Sequence, residues 1–122
     1  FPLGGSTVRL PRQIPQTVAM ELLLTGRVMK AQEAKEFGLV GRVVPEGQAL
    51  AEARKIADKI ASNGPLAVQA IKQSAKEGLL ISETDALANE LKLGSRIVFE
   101  TEDAREGPRA FSEKRKPEFK GR

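Results

Sequence analysis

The chain has 122 residues, which suffice for one compact domain and are too few for two. It contains no cysteine and no histidine, which excludes disulfides, thiol nucleophiles, histidine acid–base pairs and most transition-metal sites within these residues. The sequence shows no apolar run near the ~20 residues of a membrane span, and no basic N-terminus followed by the apolar stretch of an export signal. Any chemistry must rest on carboxylates, Lys, Arg, hydroxyls or backbone amides.

The net charge of +4 is confined to the C-terminal end. Residues 105–122 hold seven basic and three acidic side chains, whereas residues 1–104 hold thirteen of each sign. A short basic segment on a neutral body favours one local anionic ligand over a long basic face that follows a duplex. The chain also has no Trp or Tyr and only 4% aromatic residues, so platforms for base stacking are scarce. We therefore expect no nucleic-acid partner.

The first 45 residues predict three short helices and one strand. A turn rich in glycine opens the chain and leads into a helix that Pro11 is expected to interrupt or kink. Pro15 suits the first residue of the next helix, which should stop at Gly26. A third helix over residues 31–37 should close at Gly38. Two apolar pairs before a proline then predict a short strand, Leu39-Val40 and Val43-Val44, ending at Pro45.

The middle of the chain predicts two further helices. Apolar residues recur at helical spacing over residues 46–62. Asn63 is expected to cap the following helix, with Pro65 in its first turn and Gly78 at its end. The chain is therefore predicted to be mostly helical from here onward.

The C-terminal third predicts a long helix and a short one. Ser82 begins a capping box that opens the long helix. We expect four residues to mark its buried stripe, with the glycine allowing close approach of a neighbour: Leu87, Leu91, Gly94 and Val98. Thr101 can cap the next turn, and the pair Gly107-Pro108 should restart a final helix through Phe111.

Three stretches of the chain together form a recognisable pattern. They are Phe1-Pro2-Leu3-Gly4-Gly5-Ser6-Thr7-Val8-Arg9-Leu10, then Leu24-Thr25-Gly26 with Ala31-Gln32-Glu33-Ala34 and Gly38-Leu39-Val40, and finally Glu106-Gly107-Pro108-Arg109-Ala110-Phe111-Ser112-Glu113-Lys114-Arg115-Lys116-Pro117. In this order and spacing they resemble the enoyl-CoA hydratase/isomerase (crotonase) superfamily. The resemblance covers essentially the whole chain, but only the C-terminal portion of a crotonase-like protein.

This resemblance implies an α/β crotonase-like fold overall, of which the present segment is mostly α-helical with one short strand. Residues 1–45 would be the end of the spiral core with its first helices, and residues 46–122 the C-terminal helical trimerisation region. It also implies a homotrimer or homohexamer, a cytoplasmic location and no membrane span.

The activity implied by the resemblance is enoyl-CoA hydration, the addition of water across the 2,3 double bond of an enoyl-CoA thioester. Two backbone N–H groups would stabilise the enolate-like oxygen, and two glutamates would handle water and proton. Both glutamate positions of the family precede Phe1, so no residue of this segment is assigned as the catalytic acid or base. The reaction needs no metal or redox cofactor, and coenzyme A enters as part of the substrate. Other superfamily reactions, such as isomerisation or thioester hydrolysis, stay open.

The resemblance also points to residues of this chain that would touch the ligand. Leu3 matches a family position whose backbone N–H helps to hold the attacking water, although a tight turn that packs Leu3 into the core is the alternative. Phe111 and Lys114 match family residues that reach the coenzyme A thioester. Three residues apart on a helix, they would share a face and offer an aromatic contact beside a cation for phosphate. The ordinary alternatives are a core position for Phe111 and a solvated Lys114, while Arg115 and Lys116 are expected to contribute charge rather than contacts.

A rival from another class is a non-catalytic interaction module that uses its amphipathic helices to bind a partner. One short strand cannot cover several amphipathic helices, so they either form a self-contained bundle or are the outer layer of a larger protein. Nucleic-acid binding is a third and weaker option.

Overall fold

The structure is a computed structural model that describes residues 1–122. Seven helices make up its regular structure: α1 Ser6–Gln13, α2 Gln16–Thr25, α3 Ala31–Glu36, α4 Ala49–Ala61, α5 Pro65–Gly78, α6 Glu83–Glu100 and α7 Glu102–Ser112. None of them combines the length and apolar character that crossing a bilayer demands. The chain divides into two compact units, Phe1–Glu52 and Ala53–Arg122, with the boundary inside α4.

The predicted short strand is absent. Residues 39–45 pair with no other extended segment, and a strand needs a neighbour to bond its N–H and C=O groups. The N–H groups of Leu39 and Val40 instead donate to the Ala34 carbonyl, at 2.8 and 3.3 Å, and so close the end of α3. The prediction of a short strand ending at Pro45 is therefore wrong.

In the first unit, α1 packs against α2, and α3 follows after a short loop. Its buried apolar residues are Ile14, Ala19 and Ala34. Arg27 holds the α2–α3 connection together. Its guanidinium donates to Glu21 at 2.7 Å and makes two bonds to the Glu33 carboxylate, at 2.6 and 3.0 Å. These bonds raise the pKa of Arg27 and lower the pKa of Glu33 below its usual value.

Two boundaries in the first unit test the predicted helix ends. Gly26 caps α2 with a φ of 66°, a conformation that favours glycine, so the predicted stop is confirmed. Pro11, by contrast, does not interrupt α1, which runs on to Gln13. Pro11 lacks the N–H that would reach Thr7, and because Thr7 is exposed, water can bond its carbonyl instead.

In the second unit, α5 and α6 form a helical hairpin, and α7 packs on α6. Ser82 caps α6 as predicted, since its Oγ accepts from the Asp85 N–H at 3.2 Å. Asn63 does not cap α5. Its side-chain amide donates to the Lys59 carbonyl at 3.1 Å and so finishes α4, while Gly64 takes the cap position of α5 without a side-chain bond.

The stripe predicted to be buried on α6 faces outward within this chain. Leu87, Leu91 and Val98 are 58, 73 and 60% exposed, and nothing lies within 4 Å of the position a Cβ would take at Gly94. The hairpin is built from the other side of α6, where Leu93 and Ile97 are partly covered. Sequence spacing identified an apolar face, but α5 packs on a different one.

The apolar core of the chain is small. Only four hydrophobic residues are buried, three of them alanines, and no large side chain is fully buried. The accessible surface is 10147 Å², whereas a compact monomer of 13.2 kDa exposes about 6,400 Å². Large apolar side chains are therefore left open on most helices.

Candidate functional site

Helix α7 carries Phe111, and Lys114 follows two residues after its last helical residue. The first turn of α7 is held by several hydrogen bonds. Thr101 caps it by accepting from the Ala104 N–H at 3.2 Å, as predicted, and donates its own hydroxyl to Ile97 at 2.7 Å. Asp103, 8% exposed, accepts from the N–H groups of Lys120 and Gly121 at 2.7 and 2.8 Å. The C-terminal segment is thereby fastened across the start of the helix.

The body of α7 is continuous, which corrects the expected restart at Gly107-Pro108. The helix runs from Glu102 to Ser112 with Pro108 inside it. Gly107 has no Cβ to clash with the proline ring that follows, which removes one of the contacts that disfavour a helical residue before proline. Ala110, 1% exposed, anchors the last turn against the rest of the unit.

The C-terminus of α7 ends in a Schellman turn. The Lys114 N–H donates to the Phe111 carbonyl at 3.2 Å, and the Arg115 N–H donates to the Ala110 carbonyl at 3.0 Å. Lys114 occupies the left-handed position of this turn with a φ of 52°, the only residue other than glycine with a positive φ in the chain. Glycine is the usual residue there because a Cβ disfavours that conformation.

An ion-pair cluster lies directly beside this turn. Arg115 binds the Glu106 carboxylate with two bonds of 2.5 and 2.9 Å and the Glu113 carboxylate at 2.6 Å. Glu106 also accepts from the Glu118 N–H at 2.8 Å, and Glu113 accepts from Arg109 at 2.9 Å. The charge of Arg115 is thus satisfied within the chain, in keeping with a role other than direct ligand contact.

The cluster strongly favours the charged forms of its members. Bonds from Arg115 and from the Glu118 N–H lower the pKa of Glu106 to about 2. Arg109 and Arg115 lower the pKa of Glu113 below its usual range, and the two carboxylates raise the pKa of Arg115. The cluster therefore keeps its charges throughout the physiological pH range.

Phe111 and Lys114 lie together at this end of the helix, although not as predicted. Lys114 falls beyond the last helical residue, so the two do not share a helix face; the turn brings Lys114 back beside Phe111 through the bond to its carbonyl. Phe111 is 87% exposed, so the alternative of a core position is wrong for this chain. Lys114 is exposed and makes no ion pair, unlike its neighbour Arg115. An aromatic side chain and an unpaired cation are therefore both open to an anionic, partly apolar ligand.

Leu3, the other predicted site residue, lies in the turn before α1. Its N–H donates to the Phe1 carbonyl at 3.0 Å, and its side chain is 84% exposed. The alternative of a turn that packs Leu3 into the core is wrong for the described chain. The assignment of its N–H to water binding stays a prediction.

Sequence reasoning missed the ion pair beside Lys114. Glu106 and Arg115 are nine positions apart, which is no helical spacing, so only the turn reveals their pairing; the pair Arg109 and Glu113, four apart, is visible from sequence. The hydrogen bonds between Asp103 and the C-terminal segment were not foreseen either. No group of three or more acidic, His or Cys residues is arranged to hold a metal ion.

Comparison with known proteins gives matches along the whole chain. The chain is 56% identical over 122 residues to the enoyl-CoA hydratase EchA19 of Mycobacterium tuberculosis, covering 100% of this chain and 46% of that relative. It is 50% identical over 119 residues to the (E)-benzylidenesuccinyl-CoA hydratase of Thauera aromatica, covering 96% of this chain and 45% of that relative. The crystal structure of an enoyl-CoA hydratase from Bacillus anthracis superposes on this chain with a TM-score of 0.94 at 45% identity. The match covers 99% of this chain and 46% of that structure.

The chain therefore spans about half the length of the relatives it matches. The model of the enoyl-CoA hydratase/isomerase family matches residues 1–122, the entire sequence. With helices that superpose on solved enoyl-CoA hydratases and the family motifs in order, this chain belongs to the enoyl-CoA hydratase/isomerase family.

Proposed function

We propose that the protein carrying this chain is an enoyl-CoA hydratase, which adds water across the 2,3 double bond of an enoyl-CoA thioester. The observation that carries the proposal is 56% identity over all 122 residues to a relative named enoyl-CoA hydratase. A second relative, 50% identical, is also named as the hydratase of a coenzyme A thioester. Coenzyme A enters this reaction as part of the substrate rather than as a separate cofactor.

The part of the reaction assigned to this chain is binding of coenzyme A by Phe111 and Lys114. Coenzyme A joins an apolar pantetheine arm to a nucleotide with several phosphate charges. Phe111, 87% exposed, offers contact area for the arm, and the unpaired ammonium of Lys114 offers a donor to a phosphate. The confinement of all net positive charge to residues 105–122 supports the same assignment.

The proton-transfer groups are assigned outside this segment. The family's two glutamates match positions that precede Phe1, so the carboxylates of residues 1–122 are given no acid or base role. Leu3 keeps its N–H as a candidate donor to the attacking water. For that role the N–H would have to exchange its bond to Phe1 for one to water.

Assembly into a homotrimer or homohexamer, with residues 46–122 as the trimerisation region, is part of the same proposal. It is supported by the exposed apolar face of α6, where Leu91 and Phe99 are 73 and 76% exposed. Light scattering on the intact protein measures the assembly directly. The cytoplasmic location stays a prediction.

The activity is tested by incubating the intact protein carrying this chain with a 2-enoyl-CoA thioester. Hydration removes the ultraviolet absorbance of the conjugated double bond and adds the mass of one water to the thioester. An isomerase would instead convert a 3-enoyl thioester without a change of mass, and a non-catalytic interaction module would leave both substrates intact. Either result would overturn the hydratase assignment.

The binding role is tested by Lys114→Ala. Loss of one charge-assisted bond to phosphate, about 1–3 kcal/mol, should raise KM for the acyl-CoA roughly tenfold to a hundredfold and leave kcat nearly unchanged. A pantetheine thioester, which lacks the nucleotide, should be affected much less. Lys92→Ala, which removes an exposed lysine from α6, is the matched control and should change neither constant. A fall in kcat alone, equal for both substrates, would contradict a role in holding the nucleotide.

A further inference from the structure

The backbone of Lys114 is held in an uncommon conformation. Its φ of 52° is the only positive value outside glycine, although a lysine has no intrinsic preference for the left-handed region. A residue with a side chain stays there only when the surrounding structure fixes it.

Contacts on both sides of Lys114 fix it. On its N-terminal side, the backbone N–H of Glu113 donates to the backbone carbonyl of Arg109 at 2.9 Å. On its C-terminal side, the backbone N–H of Arg115 donates to the backbone carbonyl of Ala110 at 3.0 Å. Lys114 could leave the left-handed conformation only if Arg115 moved away from the helix end.

The side chain of Arg115 prevents that movement. We call Arg115, Glu106 and Glu113 the Arg115 clamp. The two terminal guanidinium nitrogens donate to the Glu106 carboxylate at 2.5 and 2.9 Å, and the third nitrogen, Nε, donates to Glu113 at 2.6 Å. Arg115 is thereby tied to α7 through Glu106 and to the C-cap of the helix through Glu113. Glu106 is the firmer half, since its side chain is only 17% exposed and its carboxylate also accepts from the Glu118 N–H at 2.8 Å. A two-bond guanidinium–carboxylate pair fixes geometry as well as charge.

We propose that Glu106 and Arg115 are positioning residues for coenzyme A, because their ion pair holds Lys114 in the left-handed conformation and presents its ammonium beside Phe111 to a phosphate of the ligand. This inference rests on the proposed role of Lys114. A lysine on a fixed backbone has less freedom to lose when it binds, so the clamp strengthens binding without touching the ligand.

Glu106→Gln gives a test in which positioning and simple electrostatics have opposite signs. The substitution removes a negative charge near the phosphate site and leaves Arg115 paired with Glu113 alone, so electrostatics alone predicts tighter binding of an anion. Positioning predicts weaker binding, with Kd for coenzyme A raised roughly twofold to tenfold, the cost of ordering one long side chain. Kd for coenzyme A is measured by calorimetry on the intact protein. Pantetheine, which has neither the nucleotide nor its phosphates, is the comparison ligand. Glu102→Gln, the same charge change on the same helix, is the control and should leave Kd unchanged.

Arg115→Lys supplies a second variant that keeps the charge. Lysine cannot make the two-bond pair, so Kd for coenzyme A should rise as in Glu106→Gln, while pantetheine binding stays constant. In a Lys114→Ala background, neither clamp variant should weaken binding further, because there is no ammonium left to position. The melting temperature of each variant shows whether it folds. If Glu106→Gln fails to fold, the Kd of Arg115→Lys, which conserves the charge, decides whether the ion pair positions Lys114.

The outcomes separate the two proposals. If Lys114→Ala weakens binding but Glu106→Gln and Arg115→Lys leave it unchanged or tighten it, the positioning role is wrong and the coenzyme A role of Lys114 stands. If Lys114→Ala itself leaves Kd unchanged, the proposed role of Lys114 is wrong and the positioning inference falls with it. Additive losses in the double variants would also overturn positioning.

Discussion

Asp103→Ala should loosen the C-terminal segment and destabilise the protein by about 2–3 kcal/mol. The carboxylate accepts two N–H bonds, from Lys120 at 2.7 Å and Gly121 at 2.8 Å, and is 8% exposed. Hydrogen bonds to a charged group contribute about 1.5–3 kcal/mol each. The loss should be smaller than the sum of the two hydrogen-bond contributions, because Lys120 is exposed and water can bond its N–H once the segment detaches.

The measurement is urea unfolding of the intact protein followed by circular dichroism. Asp103→Asn should lose less, because one side-chain oxygen can still accept. The control is Asp85→Asn, an exposed aspartate in the first turn of α6, for which about 0.3–1 kcal/mol is expected. If Asp103→Ala costs no more than Asp85→Asn, the C-terminal segment is not held by Asp103 and the reasoning is refuted.

Three further predictions concern the turn and the core. Lys114→Gly should raise the free energy of unfolding by about 0.5–1 kcal/mol, since it relieves the left-handed strain at some entropic cost, yet weaken coenzyme A binding; a variant that is less stable than the wild type would contradict the strain. Because the folded-state pKa of Glu106 is lowered to about 2 from an ordinary 4.5, its stabilising effect is fully present above pH 4.5 and lost as the pH falls toward 2. The melting-temperature difference between wild type and Glu106→Gln should therefore be constant from neutral pH to about pH 5 and shrink below it, whereas a difference that persists at pH 2 would exclude the ion pair as its cause. The 122-residue polypeptide alone should be aggregated, partly unfolded or tightly oligomeric, because it exposes 10147 Å² where a compact monomer exposes about 6,400 Å²; a monomer with a sharp melting transition would disprove this.

Three helix ends were predicted correctly from the sequence, because they depend on nearby residues. Ser82 and Thr101 cap their helices through their own side chains, and Gly26 ends α2 in a conformation that glycine favours. Each of these signals lies within a few residues of the boundary that it sets. Local chemistry alone is enough to interpret them.

Two of the features that sequence missed, the strand and the buried face of α6, depend on partners elsewhere in the chain. Val43 and Val44 suit a strand, but no second strand lies beside them to form a ladder. Leu91 lies on an apolar stripe, but which stripe of α6 is covered depends on where α5 packs. Periodicity finds apolar faces, and only tertiary structure tells which of them is buried.

The residues of the candidate site were taken from the family resemblance, and their role in binding stays a prediction; their geometry came from the structure. The family motif singled out Phe111 and Lys114, and the structure brings both to the end of α7. The left-handed turn at Lys114 was not foreseen, because glycine normally marks that position. Arg115 and Glu106, which hold the turn, are linked by a spacing that no helical rule anticipates.

The most direct test of the proposed coenzyme A site is a crystal structure of the intact protein with coenzyme A bound. We expect the Lys114 ammonium within about 2.7–3.2 Å of a phosphate oxygen, Phe111 against the pantetheine arm, and Arg115 still paired with Glu106. Coenzyme A bound with its phosphates away from residues 111–115, or Lys114 pointing to solvent in the complex, would contradict the proposed site.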